Sequence, residues 1–543
     1  MTQSWRHAMP ARSIRCAIAL LLGTLLLALA ACSGSSDASR DADRAAEARA
    51  LRAEGDGSLT IYNSYEIAGL DPIGTGTNWL FDWGIAENLL QVTDEGEITG
   101  WLAEKYEQTD ARTWTITLHD DLSFQNGRPV DAAAVAKALN RQIQRSEAAQ
   151  VYFDTATEVT APSPTTVVIT TPKPNAMVPA ALAARDNSLQ IYDVSVMEKA
   201  DGDSAAVVGK GAYTGPYAIT AWDPDNLELA PYGDYWNGKP PLSQVTVKVV
   251  PDEQARIAGV RSGEADMAFY PSTSAALELE GDPEASLVRS EYALQSLLME
   301  MNLVDGVFTD ESVRKAFLAA IDYDEIATGV GNGSFATARG LYPDVLPYAV
   351  DNQAHDLDAA KRLLDEAGWK DDGDGVRTKG GRDLAVRIIT QAQGPETNDV
   401  AIAMQQQVAD ARFDLKIVNA EDSAAVKEDP KKWEASVALS GSLSGTADPL
   451  QPYQVRWVTG GSSNAQGLSD PEIDKIGARL RTEFDEEKRA DLLRRAQKII
   501  VDDHAYLAAA TYKYFTVVVG PAWADYQVSS VRRHITIDTG AVG

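Results

Sequence analysis

Cysteine is nearly missing from this chain. Its 543 residues hold two, Cys16 and Cys32, both in the first 32 positions. The body of the protein therefore has no thiol for a disulfide, a zinc–cysteine site or a cysteine nucleophile. Histidine is scarce as well. After His7 only His119, His355, His504 and His534 occur, no two of them four apart and none followed by Glu. That removes the H-E-x-x-H zinc motif and makes direct metal ligation by histidine an unattractive reading. The G-x-S-x-G nucleophile elbow is also absent. Basic charge is in short supply, with 49 Lys and Arg against 79 Asp and Glu and a net charge of −30. Nonspecific nucleic-acid binding needs a basic field and is excluded. Long apolar runs are confined to the N-terminus. Nothing after it approaches the ~20 apolar residues of a spanning helix.

What is present begins with that N-terminus. Arg6, Arg12 and Arg15 precede an uncharged run from Cys16 to Ala31, which ends in Leu29-Ala30-Ala31-Cys32. A positive start, a short apolar core and small residues at the end make an export signal over residues 1–31. Leu-Ala-Ala-Cys resembles the bacterial lipoprotein signal, which implies lipidation of Cys32. Two or more acyl chains would give stable anchoring at the extracytoplasmic face of the cell membrane. Residues 32–57 are Ser-, Asp-, Arg-, Ala- and Gly-rich with almost no large apolar residue, and read as a flexible tether that is at most transiently helical over Ala45 to Glu54.

From residue 58 onward, strand and helix patterns mix. Leu59 to Tyr62, Trp114 to Leu118, Thr165 to Thr170 and Gln244 to Val250 are β-branched or alternating. Asp131 is placed to cap a helix from Ala132 to Gln144, and further helices are expected at Val313–Ala320, Asp358–Ala367 and Glu487–Val501. Such mixing means an α/β or α+β class. More than 500 residues exceed one hydrophobic core, so at least two lobes are expected.

Several ordered motifs carry a resemblance. Gly69-Leu70-Asp71-Pro72, Glu87-Asn88-Leu89-Leu90, Trp101-Leu102-Ala103-Glu104 and Asn126-Gly127-Arg128-Pro129 come first. Thr214-Gly215-Pro216-Tyr217, Tyr235-Trp236-Asn237-Gly238 and Ser262-Gly263-Glu264-Ala265-Asp266 follow. Val313-Arg314-Lys315-Ala316, Ala447-Asp448-Pro449 and Asp470-Pro471-Glu472-Ile473-Asp474 complete the series. In this order the chain resembles the extracytoplasmic solute-binding proteins of the peptide/nickel class (family 5), the receptors of ABC importers. The resemblance implies a two-lobed periplasmic-binding-protein-like α/β fold of the large class II type with crossing hinge strands. Lobe I would cover 58–296 with an inserted subdomain, lobe II 297–503, and a return to lobe I 504–543. It also implies a monomer that closes on a solute, needs no cofactor, performs no catalysis, and works with ABC permease and ATPase subunits.

The resemblance also nominates ligand residues. Asp448 falls where peptide-binding relatives place a carboxylate for a peptide's amino terminus, and Arg185 falls near a pocket arginine that clamps a chelator carboxylate in nickel-binding relatives. Tyr65, Trp79, Tyr453 and Trp457 lie in segments that border the cleft in the family. Each has an ordinary alternative: a turn at Asp448-Pro449, an ion pair of Arg185 with Asp186, and core packing for the aromatics. The expected cargo is a short peptide or a peptide-like, carboxylate-bearing solute. A nickel or other metal–chelator complex is the alternative, weakened because Thr459-Gly460-Gly461-Ser462-Ser463 lacks the histidine those relatives offer there. A cell-surface hydrolase is the rival from a different class.

Overall fold

The computed structural model describes residues 37–541, apart from 75, 188, 372, 374, 393 and 441–447. The signal segment and Cys32 lie outside the described residues. Among the described residues no helix is long and apolar enough to cross a membrane.

Two large sheets organise the chain. The first has seven strands, in the spatial order Ser286–Arg289, Thr516–Val519, Met267–Phe269, Ser58–Asn63, Gln244–Val249, Asn226–Pro231 and Tyr217–Asp223. Its middle is parallel: Ser58–Asn63 runs alongside both Gln244–Val249 and Met267–Phe269. The second has six strands, in the order Phe335–Ala336, Leu507–Lys513, Gln295–Met301, Ala435–Ser440, Ala385–Gln391 and Asp414–Ala420. A further antiparallel four-stranded sheet lies between residues 103 and 170. Strands and helices thus mix as the patterning required, and the fold is the expected two-lobed α/β type.

The lobes are joined where two segments cross side by side. One runs from Ser286–Arg289 in the first sheet to Gln295–Met301 in the second, and the other returns from Leu507–Lys513 to Thr516–Val519. These strands are antiparallel partners on both sides of the crossing. Between them, Ser290 donates its N–H to the Phe515 carbonyl at 2.8 Å, and the Phe515 N–H donates to the Ser290 hydroxyl at 3.0 Å. Sheet membership thus puts the crossings at 290–294 and 514–515, rather than near 297 and 504. The reason is that Leu507, Ala508, Ala509 and Ala510 are fully buried in the second lobe, and no local signal marks the change of sheet.

Local chemistry explains many of the helix starts. The side chains of Asp131, Asp252, Asp310, Asp356, Asp470 and Asp485 each accept a hydrogen bond from the first turn of the helix that follows. A carboxylate there satisfies an orphan N–H and complements the helix dipole. Part of the acidic surplus is therefore helix capping. The region read as a tether is, in its described part, the helix Asp37–Glu54. Docking explains it: Ala48 is buried, and Arg52 hydrogen-bonds the Ala522 carbonyl, pairs with Asp525 and lies 5.0 Å over the Trp523 ring.

Candidate functional site

In open α/β sheets, ligands sit at the carboxyl ends of strands where the strand order switches. Here the parallel strands Ser58–Asn63 and Met267–Phe269 end side by side. Tyr65 and Tyr270 follow those ends with rings edge to face at 5.0 Å. Tyr65 is 58% exposed. Tyr270 has φ +58°, in the left-handed region, a backbone state that costs free energy for a bulky residue and is held by its surroundings. Phe515 at the crossing lies 6.4 Å from Tyr270, so this aromatic group adjoins the hinge.

Beside it lies a cluster of charges. The Arg185 guanidinium donates to both oxygens of Asp82, at 2.5 and 2.6 Å, and also to Asp186. Arg185 and Asp82 are 7% and 3% exposed. Burial pushes the Asp82 carboxyl above its ordinary range, against the pull of Arg185 and Arg532. Asp186 accepts in turn from Asn78 at 3.0 Å. The short helix Trp79–Asp82 positions Asp82, and Trp79 anchors it: the ring is buried and its Nε1 donates to the Ala68 carbonyl at 2.9 Å.

Arg532 completes the cluster. Its guanidinium carbon is 4.8 Å from the centre of the Phe515 ring, and its charge acts on Asp82, Asp186 and Tyr270. Among the described residues, its guanidinium donates no hydrogen bond.

The second lobe supplies the facing wall. Asp448 precedes the helix Leu450–Arg456; one oxygen accepts from the Leu450 N–H at 2.7 Å and the other from Arg489 at 2.5 Å. Tyr453 and Trp457, one helical turn apart, are both buried with rings 5.1 Å apart, and the Tyr453 hydroxyl donates to the Ile473 carbonyl at 2.8 Å. Those two rings are therefore packed inside the second lobe, whereas Tyr65 stands open.

The lobes touch in this conformation. The Ala176 N–H donates to the Arg481 carbonyl at 2.9 Å, and the Trp114 and Phe484 rings are 6.3 Å apart. Buried Tyr152 reports the approach: burial pushes its phenol upward, and the Asp186 and Asp448 carboxylates, one from each lobe, add to that. Tyr65, Trp79 and Arg185 thus gather on one lobe, and Asp448, Tyr453 and Trp457 on the other. Asp82, Tyr270, Phe515 and Arg532 were not anticipated. Asp82 lies 103 positions from Arg185, and Arg532 sits at φ +65° in the C-terminal tail, with no motif around it. Counting acids near an isolated buried arginine would have flagged neither.

Comparisons with known proteins agree with this architecture. The family model for bacterial extracellular solute-binding proteins, family 5, middle part, matches residues 97–464. Protein XP55 of Streptomyces lividans is 28% identical over 404 residues, covering 73% of this chain and 72% of that one. The dipeptide-binding protein DppE of Bacillus subtilis is 25% identical over 556 residues, covering 95% and 96%. Among solved structures, NikA from Brucella suis in complex with Fe(III)-EDTA superposes with a TM-score of 0.77 at 22% identity, covering 89% of this chain and 99% of that one.

Proposed function

The chain belongs to the bacterial extracellular solute-binding proteins of family 5, and from that premise we propose that it is a lipid-anchored receptor that hands its cargo to an ABC permease and its ATPase. The cargo is a short peptide or a peptide-like solute with a carboxylate, held between the lobes and released unchanged. A dipeptide is the cargo in the name of DppE, and that supports a peptide here. No catalytic step is proposed. The anchor is Cys32, and the receptor works as a monomer.

The observation that carries this reading is the Arg532 guanidinium at the cleft, close to Arg185 and without a hydrogen bond among the described residues. A guanidinium pairs with a carboxylate through two parallel bonds. Arg185 already serves Asp82 and Asp186, so Arg532 takes the main grip and Arg185 supports it. Asp448 takes the ammonium end. In this conformation the Asp448 and Asp186 charges both act on the Tyr152 phenol, and like charges oppose the approach of the lobes. A cationic group between them relieves the opposition, so closure is favoured by occupancy. Tyr65, with Trp79 behind it, offers an aromatic surface, and Tyr453 and Trp457 hold the opposite wall in place.

Calorimetric titration with di- and tripeptides, and with their C-amidated and N-acetylated forms, tests this. Amidation and Arg532→Gln should each weaken binding about tenfold, roughly 1.4 kcal/mol, with little further loss when combined. Acetylation and Asp448→Asn should pair in the same way. A carboxylate-bearing metal chelator would use the same guanidinium, so the panel includes nickel–histidine complexes, with metal analysis of the protein. Binding indifferent to both blocked ends refutes the peptide assignment, and a chemically altered cargo refutes the receptor.

A further inference from the structure

A cavity of about 670 Å³ opens in the first lobe, behind the aromatic group of the cleft: the ring of His534, on its wall, lies 6.3 Å from that of Tyr270 and 5.9 Å from that of Phe515. Its walls come from the N-terminal helix, from segments between Phe81 and Asn237, and from the C-terminal tail; no residue between 295 and 513 lines it. The second lobe therefore takes no part, and none of Tyr65, Arg185, Tyr270 or Arg532 faces it. The volume lies in the range of small-molecule sites.

Two kinds of side chain distinguish this cavity from a packing gap. One wall is aromatic, with Phe81 and Trp101 edge to face at 5.4 Å and Trp236 backed by stacked His119 at 5.0 Å. The other feature is a pair of underused polar residues, Arg533 and His534. Arg533 donates to Gln91 and lies 5.9 Å from the Trp101 ring centre. Its buried Nε has no partner, and among the described residues no carboxylate lies within ion-pair distance of it. His534 is fully buried with neither ring nitrogen hydrogen-bonded. Buried polar groups are almost always satisfied, and buried charges almost always paired.

Three guanidiniums, Arg49, Arg52 and Arg533, share the lining with three carboxylates, Asp94, Asp525 and Asp538. Arg52 and Arg49 both pair with Asp525, and Asp94 accepts from the Ser530 N–H at 2.7 Å and from the Ser529 hydroxyl at 3.2 Å. Asp94 and Asp538 act on Arg533 only from beyond ion-pair distance, so among the described residues it is the one guanidinium of the lining without a close carboxylate, next to a flat apolar wall and a neutral imidazole. Burial holds His534 well below its ordinary range, so it offers one donor and one acceptor.

We propose that this cavity is a second small-molecule site, distinct from the cleft, that takes a flat aromatic body bearing a single carboxylate. The ring lies against Trp101 and Trp236, and the carboxylate meets the Arg533 guanidinium with His534 beside it. Because the site is formed by one lobe, it fills whether the lobes are open or closed.

The test uses 2-naphthoate and its neutral counterpart 2-naphthamide, titrated into the full mature protein by calorimetry. Naphthoate should bind one to one and at least tenfold more tightly than naphthamide. Arg533→Met should remove that difference, and Asp448→Asn should leave it intact. In protein labelled with 5-fluorotryptophan and otherwise unmodified, naphthoate should shift the Trp101 and Trp236 resonances, with or without saturating cleft ligand; this measurement stands even if Arg533→Met does not fold. Equal affinity for both compounds, no shift at Trp101 and Trp236, or competition by cleft ligand would each overturn the proposal. Failure of the peptide panel described above would leave it untouched.

Discussion

Replacing one member of the Arg185–Asp82 pair is the sharpest test of how the cleft floor is built. Both side chains are almost wholly buried, with the guanidinium bound to both carboxylate oxygens. Removing one partner from a buried pair leaves an uncompensated charge and costs about 3–5 kcal/mol. Arg185→Met should fall in that range, and Asp82→Leu at its lower end, since Arg185 keeps Asp186 as a partner. The double variant replaces the pair by apolar side chains of similar volume and should recover most of the loss, since such swaps are often near neutral. For a lobe unfolding as a unit of about 280 residues, the single variants should lower Tm by roughly 5–8 °C. The cycle is read by calorimetry of the three variants and the parent, with cargo binding measured in parallel. Arg185→Met carries an additional sign. Asp82 already binds its proton more tightly than an unfolded carboxylate, and losing Arg185 strengthens that. The folded variant then holds a proton the unfolded chain has released, so its stability must fall as pH rises above about 4. Single variants within about 1 °C of the parent, or a double variant no better than the singles, would refute the buried pair. A double variant with restored Tm but lost binding would separate a ligand contact from a structural one.

Glu87 is buried beneath Tyr235, whose hydroxyl donates to it at 2.5 Å, and burial pushes its carboxyl up to about 8. The folded state therefore keeps a proton that the unfolded state loses near pH 4.5, and stability should fall between pH 4.5 and 8; Glu87→Gln should flatten that slope and raise Tm at pH 8, by urea or thermal titration. Gly215 packs so closely on the loop carrying Asp82 that an added Cβ would sit 2.4 Å from the Gly84 carbonyl oxygen. Gly215→Ala should cost about 1–3 kcal/mol and weaken cargo binding as well, and unchanged melting would contradict the packing. Phe484→Ala removes the ring facing Trp114 across the lobes and should speed cargo release severalfold, from about 0.5–1.5 kcal/mol of aromatic contact, with a larger radius of gyration by small-angle scattering in the unliganded protein. Arg52→Ala should release the N-terminal helix, seen as fast amide exchange over residues 43–54 with the lobe melting point unchanged.

What could be read in advance divides by range along the chain. The helix Ala132–Arg145 was legible because its cap is local: the Asp131 carboxylate reaches the Ala134 N–H three residues away. The same holds for Leu357–Glu366, closed by Gly368 at φ +83°, and for the alternating strand Thr113–Leu118. The crossings were misplaced because nothing between Ala505 and Phe515 says which sheet a strand joins; that is decided by pairing with Gln295–Met301, some 200 positions earlier. The docked N-terminal helix was missed for the same cause, since Arg52 meets Asp525 from 473 positions away. The cleft shows the divide most clearly. Arg185 could be nominated from the family resemblance, but its engagement with Asp82 depends on a fold that brings residue 82 to residue 185. Arg532 had no motif to nominate it, and only the tail's return across the first lobe sets it against Phe515 at the hinge. A charge in a sequence is a supply of donors, and whether any is left for a solute depends on which carboxylates the fold has already brought within reach.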